Sequence, residues 1–138
     1  MKRHILRDIH ERPNRIFALV CAKPFTQLIW NLIECTDIAF SRDKDIETKH
    51  QDETKTWARF TFVDKETEST FSVVKNKGMD IILAPELRNV DAFVIETNHS
   101  LTFQLSLDKI SKTSFVDFCF EVEHNMINEE TDLLLYID

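Results

Sequence analysis

The sequence predicts an α+β fold: a mostly antiparallel sheet with two helices packed on one face, a two-layer sandwich related to the ferredoxin-like plan. Three observations predict it. An uninterrupted apolar run is followed by an amphipathic helical stripe, and several short strand patterns then succeed one another at hairpin spacing. The 138 residues suit one domain, and eleven phenylalanines supply large apolar groups for its core.

The first elements are a buried strand and a helix. Residues 16–22 (IFALVCA) form the apolar run, which is typical of a strand covered on both faces. Pro24 suits the first turn of a helix, because that position needs no backbone N–H. Trp30 lies off the apolar stripe of this helix, whose members recur at helical spacing: Phe25, Leu28, Ile29, Leu32 and Ile33.

The middle of the chain predicts strands separated by polar turns. Residues 41–55 are rich in charge and poor in apolar residues, and we expect them to form a solvated loop. Residues 57–63 alternate, and residues 69–75 follow after a charged turn; together they predict an antiparallel hairpin. Further strands are expected at 81–83, 90–95 and 115–123, with a turn at 76–78 that uses the chain's one glycine.

Residues 100–113 carry two patterns at once. Leu101, Phe103, Leu105 and Leu107 alternate as in a strand, whereas Phe103, Leu107 and Ile110 fit one helical face. Periodicity alone leaves both alternatives open.

Charge divides the chain into a basic arm and an acidic domain. The net charge of −7 disfavours general binding to nucleic acid. Residues 1–15 nevertheless have five basic side chains against two acidic ones, and we therefore predict an N-terminal arm at 1–15 and a single domain at 16–138. The arm is suited to contact an acidic partner through its basic residues: Lys2, Arg3, Arg7, Arg12 and Arg15.

The cysteines and the hydropathy pattern predict a cytoplasmic protein without a membrane span. The three cysteines are odd in number, widely spaced and set in apolar runs, as is typical of buried thiols in a reducing compartment. The apolar run after the arm is only seven residues long and follows acidic Asp8 and Glu11, which disfavours a secretory leader. Every apolar stretch is far shorter than the roughly 20 residues of a membrane helix.

Familiar catalytic motifs are missing from the sequence. It has no Gly-rich phosphate loop, HExxH, CxxC or GxSxG pattern. Glu121, Glu123 and His124 lie together near the end of a predicted strand, but one strand offers few ligands for a metal. The sequence therefore predicts no cofactor, no metal and no catalytic residue.

Residues 84–93, APELRNVDAF, allow two interpretations. As a structural turn, they would lead into a buried strand, with the Asp91 carboxylate fixing loop N–H groups. As a site, an exposed cluster would recognise a ligand or a partner. The candidate interaction residues are Pro85, Glu86, Arg88, Asp91 and Phe93.

This stretch resembles the signature of the IPExxxVDYF family, small uncharacterised proteins of Bacteroidetes. Five of its residues match at the family's spacing: Pro85, Glu86, Val90, Asp91 and Phe93. Alanine stands at 84 and 92, where the family has isoleucine and tyrosine. Upstream, residues 17–33 resemble the family's strand and its L-x-W-x-L helix, so that the resemblance covers about residues 15–125. It implies a helix at 100–113 and no particular activity.

Two functions follow as expectations from these observations. The first is a non-enzymatic interaction or adaptor module that presents a sheet edge or an acidic surface to a protein partner, or that self-associates. The alternative is a small-molecule-sensing ferredoxin-like domain that binds its ligand at a dimer interface. An enzyme built from distant carboxylates and histidines is a third, less favoured class.

Overall fold

The computed structural model describes residues 15–50, 53–66, 68–77, 82–97 and 110–127. Within these ranges lie one complete α-helix, α1 (Phe25–Thr36), and two short 3₁₀ helices, Pro85–Leu87 and His124–Met126; Ile110 and Ser111 are also helical. The eight strands are β1 (Arg15–Val20), β2 (Ser41–Arg42), β3 (Ile46–His50), β4 (Glu53–Trp57), β5 (Arg59–Asp64), β6 (Ser69–Lys75), β7 (Ala92–Thr97) and β8 (Phe118–Val122).

Six of the strands form one antiparallel sheet in the order β2-β5-β6-β7-β1-β8. The apolar run of β1 lies between β7 and β8, and its central residues are fully buried. This inner position explains why its sequence is apolar on both faces. β3 and β4 form a separate two-stranded sheet.

Apolar clusters cover both faces of the large sheet. On the first face, Phe17, Phe71 and Val94 pack with Leu28 and Leu32 of α1. The second face holds Ile16, Ala18, Val74, Phe93 and Ile95, which pack against Trp57, Leu83, Ala84 and Val90. We call these the helix face and the loop face.

Helix α1 forms where its stripe predicted it. Leu28, Ile29 and Leu32 are buried, and Trp30, off the stripe, is 62% exposed. The helix ends at Asp37, whose backbone adopts a left-handed conformation (φ 62°) and donates an N–H to the Ile33 carbonyl oxygen at 2.8 Å.

The predicted fold class is wrong. The described residues contain one complete α-helix instead of two, together with a six-stranded and a two-stranded sheet. The loop face is also covered by chain, whereas the prediction placed both helices on one face of a two-layer sandwich. Residues 100–109 of the second predicted helix lie outside the described residues.

The error has a physical source in residues 41–55. This charged segment was predicted to be a loop, but it contains β2, β3 and the first part of β4. Its strands pair through their backbones, with Glu47 opposite Thr56 and Ile46 opposite Trp57. Because most of their side chains are polar, the segment lacks the apolar alternation by which half-buried strands are found. The predicted strand at 57–63 is likewise interrupted at Ala58.

Candidate functional site

The predicted motif forms a loop that packs onto the loop face and leads into β7. Ala84 and Val90 are buried at its two ends, while Pro85, Glu86 and Arg88 between them are exposed. Pro85 opens the short 3₁₀ helix, where its missing N–H costs nothing. The loop therefore buries its ends and exposes its middle.

Asn76 holds this loop in place from the end of β6. Its side chain is fully buried, and its Nδ2 donates to the carbonyl oxygens of Leu87 (3.0 Å) and Val90 (2.7 Å). Its Oδ1 accepts the backbone N–H of Ala84 at 2.8 Å. One amide therefore satisfies three backbone groups of a segment that has no strand partner to do so.

Asp91 joins the motif to the end of β1. Its Oδ2 accepts the backbone N–H of Cys21 at 2.8 Å, and its Oδ1 lies 3.1 Å from Nζ of Lys77. Its own N–H donates to the Leu19 carbonyl oxygen at 2.8 Å. Both carboxylate oxygens thus have partners within the fold, as the structural interpretation of the motif requires.

Phe93 lies in the core. It is fully buried on the loop face with Ile95, whereas Ala92 and Val94 point to the helix face. The structure thus separates the predicted site residues into two groups. Asp91 and Phe93 stabilise the fold, and Pro85, Glu86 and Arg88 form exposed surface, for which an interaction role stays a prediction.

A different surface stands out at β8. This strand is the last of the six-stranded sheet, and β1 is its one strand neighbour within the described part of the chain. Alternate backbone N–H and C=O groups of an edge strand point away from the sheet, where another strand can pair with them. We call residues 117–123, which are β8 with the flanking Asp117 and Glu123, the β8 edge.

The two faces of the β8 edge differ in chemistry. Phe118 and Phe120 lie opposite Val20 and Ala18 of β1, on the loop face. Their rings are 5.5 Å apart, and Phe118 is 61% exposed. Cys119 and Glu121 lie opposite Leu19 and Phe17, on the helix face. Asp117 and Glu123 are exposed at the two ends, so that the edge combines aromatic and acidic side chains.

Arg15 links the β8 edge to a buried carboxylate. Its Nε and Nη2 each donate to one oxygen of Glu121 at 3.2 Å, and its Nη1 lies 3.9 Å from Oε1 of Glu96. Glu96 is only 1% exposed, and its Oε2 has no hydrogen-bond partner among the described residues. Burial raises the pKa of Glu96, while the Arg15 charge opposes that rise.

The three cysteines are at least partly buried. None of the three forms a disulfide; Cys21 is buried, and Cys35 and Cys119 are partly buried. Burial raises the pKa of Cys119 to about 12 and also raises the pKa of Cys21. Both side chains are therefore thiols at neutral pH, the form that is a poor nucleophile.

Comparisons with protein families, with characterised proteins and with solved structures found no match. In the described ranges, no three His, Cys, Asp or Glu side chains are grouped so that they could hold a metal ion. No helix in the same ranges combines the length and the apolar character that crossing a membrane requires.

Sequence reasoning identified the residues of the β8 edge but not their position. The alternation of FVDFCFEVE predicted Val116, Phe118, Phe120 and Val122 on one face. The structure confirms this for Phe118, Phe120 and Val122, but Val116 lies before β8 and packs in the cluster of the helix face. The alternation could not show that this strand is the last of the sheet among the described residues, because strand order depends on pairing between distant segments. The Asn76 amide was expected only as part of a turn, since a buried hydrogen-bonding role leaves no periodic signal.

Proposed function

We propose that this chain is a non-enzymatic protein-interaction module and that the β8 edge is its binding surface. The observation that carries the proposal is the exposure of Phe118 on an edge strand. A phenylalanine loses roughly 1.5 to 3 kcal/mol of favourable burial when it stays in water. Exposed apolar groups on an edge strand commonly mark interaction surfaces.

The surroundings of Phe118 distinguish it from Trp30, the other exposed aromatic residue in the part of the chain that the structure describes. Trp30 is equally exposed, at 62%, but projects from a helix whose backbone groups are bonded within the helix. Phe118 lies beside Phe120 on a strand whose outer backbone groups can pair with another strand. The β8 edge therefore offers main-chain pairing and apolar contact together.

A cytoplasmic location and membership of the IPExxxVDYF family are part of the same proposal. The location is supported by the three cysteines, which form no disulfide, because disulfides are rare in reducing compartments. The five matching residues of the motif support the family, and Asp91 and Phe93 among them have clear roles in the fold.

Affinity capture with crosslinking tests this function. The tagged chain, expressed at its native level, should recover a specific protein partner. Phe118→Asn should reduce that recovery about tenfold, which corresponds to roughly 1.4 kcal/mol of binding free energy. The matched control, Trp30→Asn, should leave the recovery unchanged. Recovery of the chain alone, or of a partner that is insensitive to Phe118→Asn, would contradict the proposal.

A further inference from the structure

The chemistry of the β8 edge points to one kind of occupant: we infer that it binds an extended segment of a protein partner in which basic and apolar residues alternate. This inference rests on the proposed function and specifies the partner for the same surface. Three features support it: the position of the strand, the division of its faces and its charge.

The position of the strand favours an extended segment. β8 has its neighbour β1 on one side, and its other side ends the sheet within the described residues. A segment added there would gain main-chain hydrogen bonds at every second residue. An incoming helix could not satisfy these groups, because its own N–H and C=O groups are already bonded to one another.

The two faces of the β8 edge carry different side chains, and this difference determines which residue types should alternate in the incoming segment. Residues directly opposite each other in a sheet share a face, and successive residues of a strand point to opposite faces. Every second residue of the segment would therefore meet Phe118 and Phe120, and an apolar side chain would suit that contact. The residues between would lie on the face of Glu121, where a lysine or arginine is favourable.

The charge of the β8 edge indicates that the residues of the incoming segment on the face of Glu121 are basic. Asp117, Glu121 and Glu123 make the β8 edge acidic, and Arg15 offsets only one of these charges. The Arg15 guanidinium also shows how Glu121 receives a cation, with one hydrogen bond to each carboxylate oxygen. Such exposed charges mainly select the partner and accelerate its association.

Charge also disfavours a second copy of this chain as the occupant. Two β8 strands paired antiparallel around Phe120 would place Asp117 of each copy opposite Glu123 of the other. Like charges directly opposite each other destabilise a strand pair. A basic segment would meet the same positions with attraction.

Fluorescence anisotropy with labelled peptides tests the inference on the full chain. We expect a short peptide of alternating valine and lysine to bind, with an affinity that falls as salt is raised. A peptide of alternating valine and glutamate, and a scrambled valine–lysine peptide, should bind about tenfold more weakly or not at all. Amide resonances of residues 117–123 should shift in the complex, and those around Trp30 should not.

Charge reversal supplies the matched variants. Asp117→Lys combined with Glu123→Lys should weaken binding of the valine–lysine peptide about tenfold or more and permit binding of the valine–glutamate peptide. Glu34→Lys, on the exposed side of α1, changes the net charge without touching the edge and should have little effect.

Equal binding of the basic and acidic peptides, or an equal effect of Glu34→Lys, would overturn the inference. If neither peptide binds while Phe118→Asn still abolishes partner capture, the partner chemistry is wrong and the proposed function stands. If neither peptide binds and Phe118→Asn also leaves partner capture unchanged, both the inferred partner chemistry and the proposed function are wrong.

Discussion

Asn76→Ala should be among the most destabilising polar-to-alanine substitutions in this chain. The Asn76 side chain is fully buried and makes three hydrogen bonds to the backbone of the loop between β6 and β7. Alanine removes all three. It also leaves the N–H of Ala84, itself fully buried, without its acceptor.

The expected loss of stability follows from these contacts. Each intramolecular hydrogen bond contributes about 1 kcal/mol net, and a buried group left without a partner costs roughly a further 1 to 3 kcal/mol. For three lost hydrogen bonds and one unpaired buried N–H, the free energy of unfolding should therefore fall by about 4 to 6 kcal/mol. A domain of this kind has roughly 5 to 15 kcal/mol in total, so the variant should lose a large part of its stability.

Urea denaturation at neutral pH measures this change. Asn89→Ala, at an exposed position in the same loop, is the matched control and should stay within about 0.5 kcal/mol of the wild type. Asn76→Asp keeps an acceptor for the Ala84 N–H but places a carboxylate beside the carbonyl oxygens of Leu87 and Val90. It should be destabilising at neutral pH and less so in acid. A loss below about 1 kcal/mol for Asn76→Ala would refute the structural role of the amide.

Three further predictions concern the core and the buried ionisable groups. Phe93→Ala should cost about 3 to 5 kcal/mol in urea denaturation, whereas Glu86→Ala and Arg88→Ala should each stay within about 0.5 kcal/mol; a small effect at Phe93 would contradict its place in the core. Burial raises the pKa of Glu96 in the folded state above its ordinary 4.5, so the ionised carboxyl opposes folding increasingly as the pH rises through and above that value. Glu96→Gln should therefore stabilise the protein at pH 7.5 and lose that advantage near pH 4. Thermal unfolding of the variant and the wild type at both pH values tests this, and the same difference in stability at the two pH values would contradict it. Cys119, with a pKa of about 12, should be alkylated at pH 8 about a thousandfold more slowly than an unfolded cysteine. Mass spectrometry of the peptide that contains Cys119 measures this rate, and equal rates in the folded and the unfolded protein would contradict the prediction.

Local patterns predicted the elements that are defined by a single periodicity. Three such patterns show how a segment meets the core: the stripe of α1, the apolar run of β1 and the alternation within β5. The structure forms all three elements. The strands β3 and β4 were missed because their alternation is polar and their stability comes from pairing with each other. Their pairing has no signature within either segment.

The candidate surface could not be predicted from any short stretch of sequence, because it depends on contacts between distant segments. Phe118 belongs to an apolar alternation that predicts burial, yet it is 61% exposed on β8, the last strand of the sheet within the described ranges. Conversely, the polar Asn76 follows a strand and is fully buried, because three backbone groups of a later loop surround its amide. In both cases contacts between distant segments decide the outcome: the apolar Phe118 is exposed and the polar Asn76 is buried.

Site-specific photocrosslinking at position 118 tests the central claim most directly. A photoreactive phenylalanine analogue replaces Phe118 in one protein and Trp30 in another, and the two positions have nearly equal exposure, 61% and 62%. Irradiation in the native host should give a discrete crosslinked protein partner from position 118 and none from position 30. Crosslinks of equal yield from both positions, or a discrete partner from position 30 alone, would contradict a binding surface at the β8 edge.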